Sequence, residues 1–277
     1  MNGTVKRSIF GLLFLAVMLG GLLLGEVAFV NLFLFISGWM LREFYRMNLG
    51  ESQPLLQNVG LAVGIAWFLL GFAYFRGDIS LTFFVSGGLL ALLLLLALAV
   101  LQKKHEDFPK FAFILAGLLY ISLPLALSPA LVFRGGDYSG FLMLSFFIII
   151  WSSDVGAYCL GMLLGQNIWP AKMCPKISPK KSWAGFIGGL LFACLAGAIL
   201  NWTGLLALPM VHCLGLAAVM HVLGVFGDLF ESLWKRAAGV KDSGNIIPGH
   251  GGMLDRFDSA LFAIPAGVIY LVIIGLL

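Results

Sequence analysis

Charge is what this chain has least of. Asp, Glu, Lys and Arg make up 11% of its 277 residues, under half the roughly 25% of an ordinary soluble domain. That leaves too little solvating side chain for a soluble core, and no room for a separate soluble domain. Cysteine is sparse as well. Cys159, Cys174, Cys194 and Cys213 show no C-x-x-C spacing, and three of them lie in apolar stretches. Neither a zinc site nor a disulfide framework is indicated, and small core hydrophobes are the expectation. No repeat of fixed period stands out, which speaks against an inverted-repeat transporter. No A-x-A-like cleavage site follows the apolar run from Ile9 to Leu24. Lys6 and Arg7 ahead of that run therefore open a retained first transmembrane helix rather than a secretory signal. The net charge of +4 is mild. Its placement says more than its sum, and no nucleic-acid partner is expected.

What is present in excess is apolar side chain, 61% of residues, with a mean hydropathy of +1.02. A spanning helix needs about 20 apolar residues. Runs bounded by charge or Gly/Pro supply nine candidates, at 7–25, 27–41, 55–75, 79–101, 111–133, 141–164, 183–206, 209–227 and 257–277. The second is short, and the eighth has sequence enough to continue to Arg236. Only helices and closed barrels satisfy the backbone in hydrocarbon, and runs this long are helical. The expected fold is all-α, a polytopic membrane helix bundle of about nine transmembrane helices. About five of them fall in residues 1–140, and the others in a catalytic region, 141–277. With the N-terminus in the cytoplasm, all of the 17 Lys and Arg except Arg76 and Arg134 lie on the inner side. The two longest polar connectors, 165–182 and 228–256, then share that side, and a site drawn from both is expected there.

The connector 228–256 is the densest in chemistry. Asp228, Glu231 and Lys235 stand at i, i+3 and i+7, one face of a helix. Asp255 and Asp258 are three apart where the last helix begins, so both carboxylates can point the same way. Like charges that close repel unless a cation lies between them, and hard carboxylate oxygens suit Mg²⁺, which also binds substrate phosphates. Between the acids lies Pro248-Gly249-His250-Gly251-Gly252. Gly249, Gly251 and Gly252 let backbone N–H groups approach an anion. Lys235, Arg236, Lys241 and Arg256 supply counter-charge for a triphosphate or a lipid phosphate. His250 can hydrogen-bond a phosphate or orient a ligand. No Ser-His-Asp or Cys-His arrangement is present. The equipment is that of phosphoryl or nucleotidyl transfer. The blander alternative is a solvated connector, with Asp255 serving only as a helix cap.

These residues resemble the signature of the CTP-dependent phosphatidate cytidylyltransferase family. Ser232, Lys235-Arg236, Lys241-Asp242, Pro248-Gly249-His250-Gly251-Gly252 and Asp255-Arg256-Phe257-Asp258 follow that pattern without departure. Ser178-Pro179-Lys180-Lys181-Ser182-Trp183-Ala184-Gly185 extends the likeness, although Ala184 stands where many relatives carry Glu. Asp154-Val155-Gly156-Ala157-Tyr158 is similar to the family's D-x-x-A-Y. The first 140 residues match only in hydropathy.

The resemblance implies transfer of the cytidylyl group of CTP to phosphatidic acid drawn from the bilayer, giving CDP-diacylglycerol and pyrophosphate. It also implies a binuclear cation centre near Asp228, Asp255 and Asp258, with Mg²⁺ and a monovalent partner such as K⁺. Catalytic roles fall on Asp228, Lys235, Arg236, Lys241, His250, Asp255, Arg256 and Asp258. Substrate binding falls on Asp154, Ser178, Lys180, Lys181, Ser182, Gly249, Gly251 and Gly252. Asp154, inside a span, is a cation ligand or a partner for a connector lysine, against the alternative of a protonated or serine-bonded structural acid. His212 and His221, in an apolar helix, are expected to be packing residues, and Trp183 an interfacial anchor. A homodimer in a bacterial inner membrane, with its site on the cytoplasmic side, completes the expectation. Competing readings are another CTP-dependent lipid kinase, a CDP-alcohol transferase (for which the D-G-x-x-A-R motif is missing) and an ion-coupled transporter using Asp154 and Asp228.

Overall fold

The structure is a computed structural model and describes residues 3–51, 53–100, 108–166, 168–246 and 251–277. Among the described residues, eight helices are long and apolar enough to cross a membrane. A shorter apolar one, Ser8–Leu23, precedes them. The chain is an all-α integral membrane protein, and the nine helical runs among the described residues follow the nine apolar runs of the sequence. It divides into two compact units. Unit 1 comprises Met1–Ser139 and Asp242–Arg256; unit 2 comprises Gly140–Lys241 and Phe257–Leu277.

Unit 1 holds α1 (Gly3–Leu23), α2 (Glu26–Leu49), α3 (Pro54–Arg76), α4 (Leu81–Val100) and a composite run over Lys110–Leu131. That run is α5 (Lys110–Gly117), a π turn at Leu118–Ser122, α6 (Leu123–Leu127) and a 3₁₀ turn at Ser128–Leu131. Pro124 cannot donate to the preceding turn, and the wide π turn accommodates the missing bond. A small hairpin, β1 (Phe133–Arg134) against β2 (Asp137–Tyr138), follows. The unit's core is aromatic: Phe29 stacks on Phe33 at 4.5 Å, and Phe33 on Phe68 at 6.2 Å. Helix α4 turns Leu89, Leu90, Leu93 and Leu94 outward, as a lipid-facing helix does.

Unit 2 holds α7 (Phe141–Leu163), a hairpin of β3 (Lys172–Cys174) and β4 (Ser178–Ser182), α8 (Trp183–Trp202), α9 (Met210–Ala237) and α11 (Ala260–Ile273). The short α10 (Leu254–Phe257) precedes α11 in sequence.

Four element boundaries differ from the sequence expectation. Helix α2 continues past residue 41 to Leu49, because the charged residues that seemed to end it have partners. Glu43 is buried and hydrogen-bonded, and Arg46 pairs with Glu51 at 3.5 Å. Helix α9 takes up the continuation that its sequence allowed and runs to Ala237, so Asp228, Glu231, Lys235 and Arg236 are helical and only the connector's start, set at 228, moves. Helix α8 stops at Trp202 rather than 206. The last helix is not continuous from 257. It breaks at Asp258-Ser259, where the Asp258 side chain accepts from the Ser259 N–H at 2.6 Å.

Candidate functional site

One pocket lies in unit 2, and its walls follow from small residues. Helices α7 and α8 touch backbone to backbone. A Cβ added at Gly156 would sit 2.5 Å from the Gly188 carbonyl oxygen, and one at Gly188 would sit 2.6 Å from the Gly156 carbonyl oxygen. Beside this contact is a cavity of about 210 Å³. Its apolar lining includes Ile150, Tyr158, Met173, Phe186 and Met220, and its polar lining Ser153, Asp154, Lys180, Lys181, Ser182, His221 and Asp228. An apolar wall with a few convergent charges is the usual build of a site for an amphipathic ligand.

The β3–β4 hairpin delivers the lysines. Lys172 pairs with Ser182 and Cys174 with Ser178, and the Trp183 N–H donates to the Ala171 carbonyl at 3.0 Å. Ser182 then caps α8 by accepting the Gly185 N–H at 3.1 Å. Strand and helix start are thereby pinned at one residue, immediately after Lys180 and Lys181. The Lys181 Nζ reaches Asp228 Oδ2 at 2.7 Å and donates to the Val225 carbonyl at 3.3 Å. Ser232 Oγ donates to the other Asp228 oxygen at 3.3 Å. One helical turn on, buried Glu231 is ion-paired with Lys235. Ser153 and His221 form a buried pair, Oγ to Nδ1 at 2.7 Å.

Asp258 stands among acids: the charges of Asp228, Glu231 and Asp154 all act on it. Close approach of the backbone allows this, because a Cβ at Gly227 would lie 2.5 Å from the Asp258 carbonyl oxygen. Such a cluster suits a hard dication. Among the described residues, no three Asp, Glu, His or Cys side chains form a ready-made metal cage. Mg²⁺ does not require one, since it is held by one or two carboxylates with waters and substrate phosphates completing the shell. Asp228 and Asp258 fit that description.

Unit 1 contains the other half of the signature. Asp255 Oδ2 accepts from the Gly252 N–H at 2.7 Å, the Ser243 N–H at 3.0 Å and the Ser243 hydroxyl at 3.1 Å. Asp255, inside the first turn of α10, thus ties the 251–252 turn to Ser243 rather than capping the helix's own N–H groups. Gly251, with φ of 85°, makes the turn; a Cβ there would stand 2.6 Å from Asp255 Oδ2. The loop also contacts Glu43 of α2, through Ser243, Met253 and Leu254.

Of the residues singled out in the sequence, Asp154, Lys180, Lys181, Ser182 and Asp228 line one cavity. Asp258 joins the acids beside it. Ser178, opposite Cys174 in the hairpin, does not line that cavity. Lys235 is engaged by Glu231, and Arg236 donates to the Val240 carbonyl at 3.2 Å, closing the end of α9. Lys241 is exposed in unit 2. Asp255, Arg256, Gly251 and Gly252 belong to unit 1. Gly249 and His250 lie outside the described residues.

His221 is buried, as expected of a packing residue, and it also bonds Ser153 and lines the cavity. His212 bonds the Tyr270 hydroxyl at 3.1 Å. Glu43 was not anticipated, nor was the bond between Ser153 and His221. An acid close behind an apolar run is the signal that could have found Glu43. It was obscured by neighbouring Arg42 and Arg46, which read as the end of the span.

Comparison with known proteins bears on this site. The sequence model of the cytidylyltransferase family matches residues 5–274. Phosphatidate cytidylyltransferase of Bacillus subtilis (strain 168) is 34% identical over 264 residues, covering 94% of this chain and 94% of that protein. The phosphatidate cytidylyltransferases of Staphylococcus epidermidis (strain RP62A) and Staphylococcus aureus (strain COL) are each 33% identical, over 263 and 272 residues, with 95% of both chains covered.

Proposed function

The chain belongs to the cytidylyltransferase family, and we propose that the Lys181–Asp228 cavity is where its reaction takes place. It transfers the cytidylyl group of CTP to phosphatidic acid, giving CDP-diacylglycerol and pyrophosphate, a step of phospholipid biosynthesis. The observation that carries the assignment of the site is the 2.7 Å contact between Lys181 Nζ and Asp228, both lining an apolar-walled cavity.

In the reaction a phosphatidate oxygen forms a bond to the α-phosphorus of CTP, and the bond from that phosphorus to the bridging oxygen of the β-phosphate breaks. The electron pair leaves with pyrophosphate. The nucleophile is already anionic, so the residues are not required to remove a proton. Their task is to hold two polyanions against mutual repulsion. Lys180 and Lys181 supply positive charge to the phosphates. Asp228 and the Val225 carbonyl fix the direction in which Lys181 presents its N–H groups. The apolar wall of Ile150, Phe186 and Met220 excludes water from the charged groups, and the glycerolipid would come to them from the bilayer. Mg²⁺ held by Asp228 and Asp258, when bound, would neutralise charge that the lysines leave uncovered.

The reading places the N-terminus and the 165–182 connector in the cytoplasm, where CTP is found, consistent with the side preference of Lys and Arg. A bacterial inner membrane and a homodimeric assembly are part of the same proposal, with no nucleic-acid partner. Orientation is tested with native Cys174, partly exposed in that connector. It should react with an impermeant maleimide in inverted vesicles and not in right-side-out ones; the reverse pattern overturns the orientation. The activity is tested with purified protein, phosphatidate in mixed micelles and labelled CTP. Label should pass into the chloroform phase one-for-one with pyrophosphate release. Uptake of CTP or ions into proteoliposomes without lipid labelling would refute the enzyme reading.

A further inference from the structure

Glu43 lies in α2, which is long and apolar enough to span a membrane, yet it is only 7% exposed. A buried carboxylate in such a helix costs a few kcal/mol unless its oxygens are filled. Here they are filled, and mostly by one distant segment. Oε1 accepts from Trp39 Nε1 at 3.0 Å and from the Met253 N–H at 3.0 Å. Oε2 accepts from the Leu254 N–H at 2.9 Å and faces Ser243 Oγ at 3.2 Å. Met253 and Leu254 are where α10 begins, so their N–H groups have no partner within that helix. Glu43 caps them from another helix, in the manner of a carboxylate at a helix N-terminus.

Ser243 links this contact to Asp255. Its hydroxyl lies 3.2 Å from Glu43 Oε2 and 3.1 Å from Asp255 Oδ2, and its N–H is bonded to Asp255 at 3.0 Å. The hydroxyl has one proton to give to these two acceptors. The approach is tight enough to dictate sequence. A Cβ at Gly252 would stand 2.6 Å from Glu43 Oε2, and a Cβ at Gly244 would collide with Oε1. Glu43 therefore grips the connector at two places well separated in sequence, Ser243 and Met253-Leu254. Between them in sequence lie Gly251 and Gly252.

We propose that Glu43 is a positioning residue for cytidylyl transfer, holding Asp255, Arg256 and the Gly251-Gly252 turn in their working arrangement. It does so without itself touching substrate. The proposal rests on the reading of the reaction given above and adds to it a residue of α2, outside both polar connectors. An amide cannot replace the carboxylate. Glu43→Gln turns one acceptor into an N–H group that points at donors, while leaving volume and packing nearly unchanged.

The test uses the full-length protein in nanodiscs, with two readouts on the same samples. In Glu43→Gln, kcat/KM for CTP should fall about 10–100-fold, as when a residue supporting a working ligand is lost. Amide exchange should quicken at Gly252, Met253 and Leu254 while α7, α8 and α9 keep wild-type protection. Activity within twofold of wild type, or unchanged exchange in 251–256, overturns the proposal. If Glu43→Gln loosens every helix, Ser243→Ala decides, since it cuts one link and keeps the carboxylate. A smaller fall in activity with the same local exchange pattern supports the role; wild-type behaviour on both readouts refutes it. Wild-type protein that makes no CDP-lipid would sink the assigned reaction instead, and the exchange pattern would still report whether Glu43 holds the loop.

Discussion

Replacing Lys181 by Met separates catalysis from structure in a single experiment. Its ammonium is 2.7 Å from Asp228, and the two side chains are 20% and 34% exposed. The pair thus falls between an exposed bridge, worth about 0–1 kcal/mol, and a fully buried one, whose disruption costs about 3–5 kcal/mol. Loss of about 1–2 kcal/mol of stability follows, because Asp228 keeps the Ser232 hydroxyl and some solvent. The rate should suffer more. Removing one preorganised donor from a site of developing charge costs about 10²–10³ in kcat, or roughly 3–4 kcal/mol.

Thermal unfolding of the purified variant reads the first quantity, and labelled-CTP transfer to phosphatidate reads the second. Adding Asp228→Asn to Lys181→Met removes the stranded charge and should return part of the stability. It should return none of the turnover. Lys181→Met turnover within threefold of wild type, or a double variant that recovers turnover, would refute the assignment of Lys181 to the phosphates. Either outcome would leave it as a structural partner of Asp228.

Other outcomes follow from the same geometry. Gly227→Ala puts a Cβ 2.5 Å from the Asp258 carbonyl oxygen, so α9 must shift. A loss of about 1–3 kcal/mol, as for overpacking elsewhere, should accompany reduced transfer, by thermal unfolding and CTP assay together. Gly251→Ala forces a side chain onto φ of 85° and against Asp255. A cost of about 1–3 kcal/mol should appear as faster amide exchange in the 251–256 loop, with the α7–α9 helices unaffected. Chelation with EDTA should abolish transfer, Mg²⁺ should restore it and K⁺ alone should not; activity that survives exhaustive chelation would remove Mg²⁺ from the account.

Much of the site could be read residue by residue, and the reason is local. Lys180, Lys181 and Ser182 lie in one short stretch, and Ser182 both closes β4 and caps α8, so proximity in sequence became proximity in space. Asp228 was singled out because it shares one helix face with Glu231 and Lys235, at i, i+3 and i+7. The hairpin at 172–182 was read only as a polar connector: its strands are brief, and their pairing depends on a register that composition does not encode. The contact of Gly156 with Gly188 was not read, because a glycine in a transmembrane helix means little until the facing helix is known. Glu43 and its partners are separated by some 200 residues in sequence, and hydrogen bonds over that distance leave no periodicity to read.

The sequence alone determined the solvent, the class of fold and the chemistry. Backbone polar groups in hydrocarbon admit few solutions, and runs of apolar residues this long leave helices as the outcome. Acids, bases and glycines packed into two connectors point to charge management around phosphates whatever their arrangement. Tertiary structure decided which of those charges are spent on one another. Lys235 answers Glu231, Arg236 closes its own helix, Asp255 ties down a turn, and Lys181 meets Asp228 in a cavity. Such pairings depend on distances of a few ångströms between helices, set by where small side chains let backbones approach, and one-dimensional spacing carries no record of them.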